Sequence, residues 1–148
     1  MVQRSLTSQL KKVQEDLDQV RDVFLQIVAN DLVTSSIPTI DTGAYITSHS
    51  ITTTRGAGRA RSSHNKPSSS NPNFEVAQSL EQLYEDISAL PKDQTTVYMT
   101  NNSPHASAVE YGGANWKEHP FGYDIYGSVR NRASLHLKDA IAQVKGSP

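Results

Sequence analysis

Residues Leu6 to Val33 read LTSQLKKVQEDLDQVRDVFLQIVANDLV, and this stretch decides the fold. Its apolar residues Leu6, Leu10, Val13, Leu17, Val20, Phe24 and Ile27 fall at alternating steps of four and three, which puts them on one face of an α-helix. Ser5 can cap its start, and Ser35, Ser36 and Pro38 supply its stop. Val23, Leu25 and Val28 widen the apolar face toward the C-terminal half, where a coiled coil would instead place charges beside the seam. That half is therefore expected to pack on its own domain. At 1.5 Å per residue, a helix from Ser5 to Val33 is roughly 43 Å long, against about 38 Å across a compact domain of this size. The narrow-striped N-terminal half is thus expected either to project and pack on a neighbour or to break near Lys11-Lys12.

Outward from this helix the pattern changes. Ala44 to Thr54, rich in Tyr, Ile and Thr after the turn Asp41-Thr42-Gly43, reads as a strand, and Thr95 to Thr100 as a second. Residues 56–73, with their Gly, Pro and Ser, read as a flexible basic loop. Asn73 caps a second helix carrying Phe74, Ala77, Leu80, Leu83, Tyr84 and Ile87 on one face, with Pro91 after it. Asn101 to Pro104 form a turn into a short helix, Ala106 to Tyr111, closed by Gly112-Gly113. Tyr111, Trp116, Phe121, Tyr123 and Tyr126 then crowd a segment without clean period, part of which, Phe121 to Tyr126, is a candidate third strand. A last helix spans about Val129 to Lys145. The order of elements gives an α+β domain: a small antiparallel sheet packed by a long N-terminal helix and a C-terminal helix, with long loops.

The chain has 148 residues, 36% of them hydrophobic and 20% charged. Its mean hydropathy is -0.53, which suits one domain with a modest core. There is no cysteine, which excludes disulfides, thiolate metal sites and a cysteine nucleophile. With no apolar leader and no run of about 18 apolar residues, a soluble protein made in a cytoplasm is expected. The net charge of -1 hides an asymmetry: Arg55, Arg59, Arg61 and Lys66 lie in a stretch without acids, leaving 10 bases against 15 acids elsewhere. Such a loop can bind phosphate or an acidic neighbour, weakly in one copy and strongly when repeated around a lumen.

Enzymatic signatures are sparse. Ile40-Asp41-Thr42-Gly43-Ala44 resembles the active-site signature of retroviral-type aspartic proteases, whose two aspartates share a proton across a homodimer. Those enzymes are nearly all-β, and the supporting second motif has only a poor match in Ile125-Tyr126-Gly127. The five histidines show no metal-ligand spacing, the Gly56 to Arg61 glycines precede no helix, and no G-x-S-x-G elbow is present. Neither a cofactor nor a metal is expected.

Taken in order, the first helix, Asp41-Thr42-Gly43 before a strand, Asn102-Ser103-Pro104-His105-Ala106, Val109-Glu110-Tyr111-Gly112-Gly113 and the final helix resemble the neck and tail-completion proteins of tailed bacteriophages. The sequence departs from that pattern at Tyr45, where leucine is usual, and at His105, where tyrosine is usual. The resemblance implies a non-enzymatic structural virion protein of the head-tail junction, or a tail terminator, that forms a homo-oligomeric ring of roughly six or twelve copies. It implies portal or adaptor and tail proteins as partners, the virion as its location and the host cytoplasm during assembly. Asp41, Gly43, Pro104, Glu110, Gly112 and Gly113 are then structural turn residues. Trp116, Phe121, Tyr123 and Tyr126 are the expected subunit or tail interface, and Arg55, Arg59, Arg61 and Lys66 a lumen-facing or partner-docking arm.

Overall fold

The computed structural model describes residues 2–39, 44–60, 73–94, 96–113 and 121–146. Asp41, Gly43, Arg61, Lys66 and Trp116 lie outside them. The fold is α+β, as the pattern of elements predicts. Helix α1, Val2–Ser36, continues through Lys11-Lys12 without a break and, at 35 residues, is about 52 Å long. It begins before Ser5, so that residue is not its cap. A 3-10 turn over Ile37–Thr39 takes the chain off the helix at Pro38.

A second 3-10 turn, Ile46–Ser48, occupies the first part of the expected first strand, leaving β1 as His49–Thr52. It pairs antiparallel with β2, Tyr98–Asn101, with His49 opposite Asn101 and Thr52 opposite Tyr98. Helix α2 spans Asn73–Ser88, α3 Ala106–Tyr111 and α4 Ile125–Gly146. No strand forms over Phe121 to Tyr126. The backbone of Tyr123 and Asp124 instead donates to the carbonyls of Val109 and Glu110 at the end of α3, and α4 starts four residues earlier than its apolar period indicates.

The buried half of α1 is the centre of the domain. Leu25, Ala29 and Val33 pack with Ile46, Ile51, Leu83 and Ile87, which joins α1 to β1 and α2. One helical step around, Val28 and Leu32 pack with Tyr45, Val109, Ile125 and Val129, which joins it to α3 and α4. The widened face foreseen in the sequence is thus two adjacent stripes, one for each layer. The sheet is backed by α2 as well as by the first helix. Among the described residues no helix is long and apolar enough to cross a membrane.

Candidate assembly surfaces and the polar frame behind them

Leu6, Leu10, Val13 and Leu17 share the heptad of the half-buried Val20, Phe24 and Ile27, yet they are 52%, 64%, 54% and 57% exposed. Every described residue from Leu6 to Leu17 is exposed, so α1 leaves the body as a bare arm before Asp18. The body ends where Arg21 donates to the carbonyls of Pro91 (2.8 Å) and Gln94 (3.0 Å), closing the loop after α2 against α1. An apolar stripe on a helix with nothing packed against it is the usual mark of an interface.

The aromatic segment divides. Phe121 is 86% exposed, and Tyr111, at the end of α3, is 73% exposed. Tyr123 is half-buried against the α1-α4 cluster. Tyr126 is half-buried as well: its hydroxyl lies 2.8 Å from Nδ1 of His49, and burial raises its pKa well above the ordinary value, helped by the charges of Tyr45 and Glu110. Tyr126 is thus tied to the subunit's own interior through His49.

His49 joins three elements. Its Nε2 is 2.9 Å from Oγ of Ser36 on α1, and Nδ1 also lies 3.2 Å from Nδ2 of Asn101 on β2. Ser36 Oγ already donates to the Leu32 carbonyl at 2.7 Å, so it accepts from Nε2–H, and Nδ1 accepts from the Tyr126 hydroxyl. Burial pushes the pKa of His49 down to about 3, consistent with this neutral tautomer. A Ser–His contact of this polarity is the reverse of an activated nucleophile, since the imidazole gives its proton to the serine oxygen. The arrangement fixes the end of α1 to the sheet and to α4.

Arg59 is likewise structural. Its guanidinium donates to both carboxylate oxygens of Asp86 on α2 (2.6 and 3.0 Å), to the His49 carbonyl (2.7 Å) and to the Gln82 carbonyl (3.2 Å). Asp86 in turn accepts from the Ile51 amide at 3.0 Å. His49 and Ile51 turn the same way along β1, away from β2, so Arg59 and Asp86 together satisfy the outer edge of a strand otherwise open to pairing. The basic loop is accordingly anchored through residue 59, helped by a 2.9 Å bond from Asn102 Nδ2 to the Gly56 carbonyl. This corrects the reading of residues 56–60 as flexible and of Arg59 as a free docking cation. Arg55 is exposed.

Glu110 and Gly112 sit at the junction of α3 and α4. The Glu110 carboxylate accepts from the amides of Tyr126 (2.8 Å) and Gly127 (3.2 Å), the unpaired donors at the start of α4, where negative charge also meets the helix dipole. Gly112 ends α3 at φ 78°, and its amide donates to the Ala108 carbonyl. Gly122, at φ 74°, has no room for a Cβ, which would lie 2.5 Å from the Glu110 carbonyl oxygen. Pro104 is exposed in the turn before α3, and Gly113 has open space around it.

On the other side of α1, Asp31 accepts from Arg132 (2.8 Å to each oxygen) and lies 2.7 Å from Nε2 of His136, both on α4. Burial raises its carboxyl pKa, but the hydrogen bonds from Arg132 and His136 and the guanidinium charge outweigh that and leave it lowered. Among the described residues no cluster of three His, Asp or Glu side chains could hold a metal ion. Comparison with family models, with curated proteins and with solved structures finds no match.

Proposed function

We propose that this chain is a structural subunit of a tailed-phage virion that assembles into a closed ring at the head-tail junction, joining portal or adaptor to tail. The observation that carries this reading is the bare apolar stripe Leu6, Leu10, Val13 and Leu17, held about 20 Å beyond the body by an unbroken helix. A monomer gains nothing from exposing it, whereas a subunit of an assembly covers it. The ordered resemblance of the Asp41-Thr42-Gly43, Pro104-His105-Ala106 and Glu110-Tyr111-Gly112-Gly113 motifs supports the particular class. Phe121 and Tyr111 are the aromatic contacts for a neighbour or the tail, and Arg55, Arg61 and Lys66 the cations for DNA or an acidic partner. The mostly helical fold with its two short strands weighs against the aspartic-protease reading of Asp41.

Light scattering behind size exclusion, with negative-stain images of the peak, tests the proposal. Closed rings, formed alone or with a portal partner, are the expected result. A strict dimer that cleaves peptides at acidic pH, and loses that activity in Asp41→Asn, overturns it.

A further inference from the structure

We infer that the groove between β2 and α4 is a docking site for an extended segment of a partner protein, which enters it as a third strand along the free edge of β2. The contrast between the two edges of the sheet is the first observation. On β1 the outward backbone groups of His49 and Ile51 are taken by Arg59 and Asp86, and three of its four residues are buried. On β2, Met99 and Asn101 stand opposite Ile51 and His49, so by the alternation of an antiparallel ladder their N–H and C=O groups also turn outward, away from β1. Among the described residues no hydrogen bond uses the backbone of Met99, and all four residues of β2 are half-buried. One edge is sealed, and the other keeps unused ladder groups that another extended chain satisfies.

That edge faces a groove with two sections. The first, about 390 Å³, has Phe24 and Val28 of α1 as its floor, Val97 and Met99 as one wall, and Val129 and Ala133 of α4 as the other. The second, about 280 Å³, continues past Met99, Tyr126 and Arg130, which line both, and is bordered by Asn101 and by Glu110 of α3. Met99 therefore sits where an apolar section meets a polar one. Tyr45 also lines the polar section: it is 6% exposed, and its hydroxyl is buried without a hydrogen-bond partner among the described residues. An orphaned hydroxyl beside a cleft is a place where a ligand group restores a missing bond.

The same features select the occupant. The β2 edge of a second copy has its own α4 standing across it, so two such edges cannot meet without their helices colliding, whereas a single extended chain about 4.8 Å from β2 enters freely. A residue paired with Met99 turns its side chain as Met99 does, toward the core clusters and the apolar section. The residue two positions along, about 7 Å away, then enters the polar section. That section brings together the acid Glu110, the base Arg130 and the Tyr45 hydroxyl. A carboxamide, which donates through nitrogen and accepts through oxygen, complements all three. The partner segment is thus an extended run with an aliphatic side chain and an Asn or Gln two positions from it. Main-chain bonds to Met99 supply affinity, and the two sections supply choice.

Calorimetric titration of the full chain with two peptides, acetyl-Thr-Leu-Thr-Gln-Thr-amide and its reversed order acetyl-Thr-Gln-Thr-Leu-Thr-amide, tests this for either strand direction, with amide NMR of the protein to locate the contact. Saturable binding of one of them, with shifts centred on Met99 and Asn101, is the expected result. Methylating the peptide's backbone nitrogens one at a time should weaken binding by about tenfold or more at alternate residues and little at those between, because only alternate N–H groups face β2. Ala133→Phe, which fills the apolar section, should abolish binding without changing the melting profile; the N-methyl series uses the unaltered protein and so stands whether or not that variant folds. Failure of both peptides to bind at millimolar concentration, binding that ignores N-methylation, or shifts confined to other surfaces overturns strand addition. Self-association that broadens Met99 and that neither peptide displaces assigns the edge to a second copy and overturns it as well. Peptide binding is read whatever the oligomeric state, so its failure leaves the ring proposal standing.

Discussion

The two halves of α1 share a three-and-four apolar spacing and have opposite fates. Leu10 and Leu32 are both leucines on the apolar side of a single helix, yet Leu10 is 64% exposed and Leu32 1%. The difference lies in what flanks the stripe. In the second half Leu25, Val28 and Ala29 extend it into two rows, each row finds its own layer, and Asp31 and Ser36 tie the helix to α4 and β1. In the first half the flanking positions Thr7, Gln9, Gln14 and Asp16 are polar, leaving a single row too narrow to bury between two layers. An identical period can therefore serve a core or an interface, and the width of the stripe decides which.

The sharpest way to break this comparison is truncation in both halves. Leu32→Ala is expected to destabilise the monomer by about 2–5 kcal/mol, read from the urea midpoint, because a fully packed side chain leaves a cavity. An effect below about 1 kcal/mol would deny that α1 centres the core.

His49 extends the test to the end of the helix. The unfolded chain protonates it below the ordinary 6.5, the folded chain only near 3, so stability should be complete above pH 6.5 and fall as pH drops through that window. The full loss is on the order of 4 kcal/mol at pH 3. His49→Gln should flatten this slope, and an unchanged slope would contradict the buried neutral imidazole.

Arg59→Ala is expected to cost about 2–4 kcal/mol, since it removes the donor to the His49 carbonyl and the counter-charge of Asp86, which keeps only the Ile51 amide. A merely solvated cation would show no change in thermal unfolding. Asp31→Asn should cost about 1–2 kcal/mol near neutral pH. Because the folded carboxyl titrates below its ordinary 3.8, that contribution is present above this value and disappears as the pH falls further, so the variant and the wild type should converge in strong acid.

The smallest monomer effect belongs to the arm. Leu10→Ser should leave the urea midpoint within about 0.5 kcal/mol while reducing assembly, which separates an interface leucine from a core one more cleanly than any structural criterion.

The polar frame was the least legible part of the sequence. Arg59 stood in a Gly- and Ser-rich run that looks solvated, and its partner Asp86 lies 27 residues away on a different element. A base in a loop and an acid on a helix face carry no local mark of belonging together. Tyr126 looked like part of an aromatic surface because its segment has no period, yet it is the first turn of α4 that carries it inward. The one available clue was Glu110, an acid placed where a helix start needs one.

By itself the sequence determined the α+β order of elements, the long first helix with its widening apolar face, and the short helix Ala106–Tyr111 with its glycine stop. These follow from periodicity and turn chemistry, which act over a few residues and are written in consecutive positions. Only the tertiary structure decided that Arg59 seals the edge of β1, that Glu110 caps α4, that His49 is buried between Ser36 and Tyr126, and that the stripe from Leu6 to Leu17 stays bare. Those outcomes depend on which distant surfaces meet and where the body of the domain ends, and no short-range pattern encodes either.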